Sequence, residues 1–178
     1  MTVSIYARSV NKNYLRGESP MIKKIAAAAT AGTIAWAGIS AIDNTTRDNS
    51  GQITAAGDLG VFVTKVGDCL NGITKSKLEV DVVKGVPCTE AHHWQVIHKG
   101  NLDFNEYSEI AVREGVIAIC KPVLDNLSIS ISEQKLLEYK NAYSESFFPT
   151  AESWAHEDRV VDCLVGSYEE TYYSSLFE

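Results

Sequence analysis

Four cysteines, Cys69, Cys88, Cys120 and Cys163, all lie beyond an uncharged run from Ile25 to Ile42. Their placement constrains the fold more than any other feature of the chain. The run follows Lys23 and Lys24 and ends at Asp43, the outline of an export signal: a positive start, an apolar middle and small residues for cleavage. Ala35–Ala37 has the A-x-A form, and cleavage after Ala41 is a second option. Everything beyond the run is then expected in an oxidising compartment, where an even number of cysteines favours two disulfides. A structural zinc is disfavoured by spacing, because the sequence has no C-x2-C and no H-x3-H pair. A redox pair would need C-x-x-C. Three disulfide pairings are open at this level.

The apolar run spans 18 residues, eight of them alanine. That length is the lower edge for a membrane-spanning helix, and alanine contributes little to insertion compared with leucine or isoleucine. A cleaved signal and a retained anchor helix therefore both remain open for residues 21–42. Residues 1–20 read as an N-terminal tail, 43–60 as a polar linker of small residues, and 61–178 as the exported domain. The net charge of -7 argues against nucleic acid or an anionic membrane surface as a partner. Membrane contact is expected only through the N-terminal segment, if it is not cleaved.

Within the exported part, residues 63–73, 78–88 and 94–103 read as strands. Leu78, Val80 and Val82 alternate with Glu79, Asp81 and Val83. Trp94, Val96 and His98 face opposite to Gln95 and Ile97. Residues 105–127 predict a helix on the stripe Val112, Val116, Ile119 and Val123, widened by Ile117, Cys120 and Leu124. Pro122 is expected to kink or restart it. Residues 132–143 suggest a shorter helix and 158–166 a last strand. The expected fold class is α+β: a small antiparallel sheet packed against one main helix, with two disulfides, preceded by the signal or anchor helix.

The order of "VGDCL", "VPCTEAH", a cysteine inside a helix, and "FFPTAESWAHEDRVVDCLV" resembles the septum-formation domain family of actinobacterial envelope proteins. The resemblance covers residues 66–166, and P-T-x-x-S-W-x-x-x-D-R-x-V-x-C is its most specific piece. The matching positions are Gly67, Asp68, Cys69, Pro87, Cys88, Glu90, His92, Cys120, Pro149, Trp154, Asp158, Arg159 and Cys163. Glu157 stands where such motifs usually have glycine, which puts a tight turn of positive φ in doubt. The resemblance implies an exported or membrane-anchored four-cysteine domain, placed at the division septum, with no activity attached to any motif. With neighbouring strands joined by one bridge and the main helix tied to the last strand by the other, the expected pairs are Cys69–Cys88 and Cys120–Cys163.

The remaining candidates weigh chemistry against scaffolding. A nucleophile–base pair of Cys88 and His92 needs a free thiolate, which a disulfide removes. His92 and His93, with His98 or His156, would be zinc ligands only if adjacent residues of an extended segment faced the same way, and they face opposite ways. Asp158 and Arg159 fit either capture of an anionic ligand, such as a cell-wall polymer, or an ion pair with Asp68 or Glu90. Trp154 fits a sugar platform or a core lid. Tyrosines in 168–175 fit a contact surface or a frayed end. The expected function is an extracytoplasmic binding or scaffold module without catalysis or cofactor. Its partner would be an envelope or division protein, or a cell-wall polymer. Its contact patches would be the loops Glu90–Trp94 and Pro149–Arg159. The alternative is an envelope hydrolase or metal-dependent enzyme using His92, His93 and Glu90.

Overall fold

The computed structural model describes residues 22–24, 41–76 and 79–177. Alternation places side chains on both faces of the longer strands. In β8 (Trp94–Asn101) Trp94 and Val96 pack on one side of the sheet and Ile97 on the other. In β9 (Tyr143–Pro149) the adjacent Phe147 and Phe148 do the same. In β10 (Val160–Gly166) Leu164 faces the first core, while Val161, Cys163 and Val165 face the second. This period of two over a sheet covered on both faces creates two separate cores.

The other strands are β1 (Ile22–Lys24), β2 (Thr46–Arg47), β3 (Ile53–Ala55), β4 (Gly57–Gly60), β5 (Cys69–Asn71), β6 (Glu79–Val80) and β7 (Val82–Val86). Eight of these strands form one sheet in the order β4-β7-β5-β8-β10-β9-β1-β6, and β2 pairs with β3 alone. Only Asp81 separates β6 from β7. One run of chain, 79–86, therefore pairs with β1 at one end of the order, through β6, and with β4 and β5 at the other, through β7, so the sheet closes on itself. Ile22, Leu59, Val80, Trp94, Val96, Phe147 and Leu164 fill the inside.

The outer core lies under α1 (Glu109–Ser130), which Ser108 caps by accepting from the Ala111 N–H. Val112, Val116 and Cys120 are buried along its stripe, and Ile119, Val123 and Leu124 pack partly buried against the same core, as the spacing predicts. Ile117 is 55% exposed, because it stands one residue, about 100° of turn, from Val116. The helix runs on through Pro122 as one element and does not restart there. The proline removes one hydrogen bond, but Cys120 is tied to β10 beside it and Val123, Leu124 and Leu127 pack on the core beyond it. Two short helices follow, α2 (Glu133–Glu138) and α3 (Ala151–Ala155).

The α+β class holds and both disulfides form as expected, Cys69–Cys88 and Cys120–Cys163. The sheet is not small, and two of its pairings, β1 with β6 and β1 with β9, are parallel. Residues 43–60 are not a linker: they hold β2, β3 and β4. Their small residues serve packing, since a Cβ on Gly57 would stand 2.2 Å from Asn44 O. Asn44 N–H donates to Asp58 O and Gly60 N–H to Ile42 O. No helix among the described residues is long and apolar enough to cross a membrane. The expected signal or anchor helix falls mainly on 25–40, outside the described residues. The two disulfides fit an oxidising, extracytoplasmic compartment.

Candidate functional site

The Gly67–Asp68 turn that enters β5 has Gly67 at φ 98°, a conformation in which glycine avoids the usual Cβ penalty. The buried Asp68 carboxylate caps this turn by accepting from Lys65 N–H at 2.8 Å. Arg47 grips the same carboxylate with both Nη atoms, at 2.6 and 2.9 Å, and donates to Gly51 O at 2.8 Å. Its Nε donates to Asp43 at 3.1 Å. The hydrogen bond to Asp68 pushes the Arg47 guanidinium above its ordinary value, as expected for a planar fork on a carboxylate. Arg47 thus fastens the 43–55 segment to the turn before Cys69. Sequence reading missed it, although it is the only basic residue between 41 and 60.

On the other side, Gln95 holds the C-terminal tail. Its Nε2 donates to Gly67 O and Ser175 Oγ, and its Oε1 accepts from Leu176 N–H. Between these fixtures lies a groove of about 560 Å³, lined by residues 50–54, 65–69, 86–89, Ser175 and Phe177. The Cys69–Cys88 bridge is part of its lining. Val66 and Phe177 each leave 52% of their surface exposed.

The motif residues sit mostly elsewhere and mostly inside. His92 is fully buried. Its Nδ1 lies 2.9 Å from Glu90 O and its Nε2 3.2 Å from Tyr139 Oη, which donates to Ser174 O. Burial holds its pKa below the ordinary histidine value. Its backbone exchanges hydrogen bonds with Tyr172, whose ring stacks on Tyr139 at 4.0 Å. His92 therefore fixes the turn after Cys88, and the 168–175 stretch is docked through Tyr172 rather than frayed, with Tyr173 left exposed. His93 turns to a different partner, Glu170 O. His98 lies in β8 opposite Cys163, and His156 caps α3. Among the described residues no three His, Cys, Asp or Glu side chains gather as metal ligands. Glu90 is exposed, while Trp94 is fully buried, so the loop Glu90–Trp94 does not present its aromatic for contact.

The second expected patch also turns inward. Trp154 is buried, stacks on Phe104 at 4.9 Å and donates from Nε1 to Asn105 O. The Arg159 guanidinium lies 3.6 Å from the Trp154 ring centroid and donates to Trp154 O and Asp158 O. Asp158 accepts from Ser153 Oγ and Val160 N–H. Arg159 pairs with neither Asp68 nor Glu90; it ties off α3 in place. Pro149 ends β9, buried and in register with Lys24. Glu157 does adopt the positive φ expected of glycine, at 66°.

A second network stands behind Asp158. Lys24 is fully buried and donates to Val160 O at 2.9 Å. Its Nζ lies 3.2 Å from Asp162 Oδ2 and 3.9 Å from Asp158 Oδ1. Lys99 pairs with the other Asp162 oxygen and donates to Thr64 O and Oγ1. No family model, curated protein or solved structure matches this chain.

Proposed function

We propose that the domain is an extracytoplasmic binding or scaffold module whose contact surface is the groove beside Cys69–Cys88. One observation carries the reading: an open groove whose sides are each fixed independently. The disulfide, the Arg47–Asp68 fork and the Gln95 clamp hold its three sides, and the rim offers two half-exposed apolar side chains, Val66 and Phe177. A site built this way binds without ordering itself first, so less of the contact energy is lost to conformational entropy. The resemblance to septum-formation domains supports placing the module at the cell envelope, at the division septum, with an envelope or division protein or a cell-wall polymer as partner. The reading of a hydrolase or metal enzyme is less well supported, because His92 and His93 are committed to different partners.

The test is localisation of the tagged full chain. The parent should concentrate at the envelope and at septa. Val66→Ser and Phe177→Ser together should disperse it while leaving thermal stability within about 0.5 kcal/mol, as for surface changes. Unchanged localisation in the double variant sinks the groove. A uniform cytoplasmic signal sinks the placement.

A further inference from the structure

The strand Ile22–Lys24 is three residues long, yet it closes the sheet. It lies between β9 and β6, parallel to both, with Lys23 opposite Phe148 and Glu79, and Lys24 opposite Pro149 and Val80. Its side chains are read one by one. Ile22, 1% exposed, belongs to the inner apolar core. Lys23 reaches outward to Glu109 in the first turn of α1. Lys24, 0% exposed, enters a cage made by Asp162, Asp158, Val160 O and the Phe62 ring. A buried ammonium is tolerated only with such partners, so the cage discriminates for a cation at this position. This is strand addition in form: main-chain pairing supplies affinity, and pockets for alternate side chains supply specificity.

The same three residues are the positive start of the expected export signal. Cleavage after Ala37 or Ala41 removes them, and retention of the apolar run as an anchor leaves them on the cytoplasmic side. On either course the exported domain keeps β9 and β6 but loses the strand between them. The cage would stay formed, because Asp162 retains Lys99 and Asp158 retains Ser153 and Val160. The backbone edges of β9 and β6 and the cation position would be left unfilled, the condition in which an edge recruits another chain.

We propose that the gap between β9 and β6 is a strand-acceptor site, which on the exported domain takes an extended apolar–x–Lys segment of a partner protein. The inference rests on the export reading. The chain's own Ile22–Lys24 displays the chemistry that fits.

The test uses an acetylated peptide of residues 21–25, Met-Ile-Lys-Lys-Ile, and a control peptide with methionine in place of its second lysine. Two proteins receive it. One is the protein recovered from the envelope of expressing cells, with its N-terminus read by mass spectrometry. The other is the full chain carrying Ile22→Asp and Lys24→Asp, two carboxylates that should expel its own strand from the apolar core and from Asp158 and Asp162. Both should bind one peptide, and the control should bind at least about tenfold more weakly, the loss expected for hydrogen bonds to a charge. An exported protein lacking residues 22–24 that refuses the peptide overturns the acceptor site and leaves the export reading standing. Intact, cytoplasmic protein in which residues 22–24 stay protected from exchange overturns the export reading, and the partner with it. A recovered dimer that refuses the peptide makes a second copy the occupant and also overturns the proposal. Equal binding of the control peptide overturns the role of the cage.

Discussion

Replacing Glu157 with glycine should stabilise the protein. The end of α3 is a Schellman turn: Asp158 N–H reaches back to Ser153 O at 3.1 Å and Glu157 N–H to Trp154 O at 3.0 Å. The residue at the turn must be left-handed, and Glu157 is, at φ 66°. Glycine usually occupies this place. A non-glycine residue there costs about 1–2 kcal/mol. Glycine gives back about 0.5–1 kcal/mol through the greater freedom of the unfolded chain. Removing an exposed carboxylate from a helix C-terminus adds about 0.3 kcal/mol. The net gain for Glu157→Gly is about 1 kcal/mol, or a rise in Tm of about 3 °C for a domain of this size. Urea unfolding with both disulfides intact should show a higher midpoint at unchanged slope. Glu157→Ala separates strain from charge, since it discards the carboxylate but keeps a Cβ at positive φ. It should change stability by less than about 0.5 kcal/mol. If glycine is no more stable than alanine, the strain argument fails.

The two disulfides should differ in weight. Loop closure over 43 residues for Cys120–Cys163 and 19 for Cys69–Cys88 gives about 4 and about 3 kcal/mol. Paired Cys→Ala variants measured in urea should follow that order, and the reverse order would count against it. The depressed pKa of buried His92 means the unfolded chain takes up a proton at higher pH than the folded one. Stability from this group is therefore complete above pH 6.5 and falls as pH drops from there toward the folded value. His92→Gln should flatten that slope in a pH series of unfolding midpoints, and an unaltered slope would refute it. Arg159→Ala should cost about 2 kcal/mol through the lost ring contact and hydrogen bonds, without dispersing the tagged protein. Dispersal at full stability would restore Arg159 to a contact surface.

Much of the fold was legible because side-chain periodicity is local. Alternation in "WQVIH" assigned the two faces of β8, and the spacing of Val112, Val116, Ile119 and Val123 assigned the core-facing stripe of α1. Spacing left three cysteine pairings open, and the pairs expected from the elements that carry them, Cys69–Cys88 and Cys120–Cys163, are the ones that form. β9 was hidden because its apolar signal, Phe147–Phe148, is a doublet buried on both faces, too short to show a period. The strands in 43–60 were hidden because they are two to four residues long and built from glycine, threonine and aspartate, which read as turn residues.

The candidate site was less legible than the fold, and the reason is distance along the chain. Arg47 meets Asp68 across 21 residues, Gln95 meets Leu176 across 81, and Lys24 meets Val160 across 136. No periodicity encodes such meetings, so local sequence points Asp68 and Arg159 to the wrong partners and shows Lys24 only as the charge before an apolar run. Trp154 and Arg159 belong to residue types common in interfaces, but packing against Phe104 and the end of α3 turned both inward. By itself the sequence determined which residues want burial, which face of each long element carries them and that its four thiols can form two bridges. Only the tertiary structure decided which segments become neighbours, because that choice minimises the free energy of the whole packed chain, with loop closure and buried charge included.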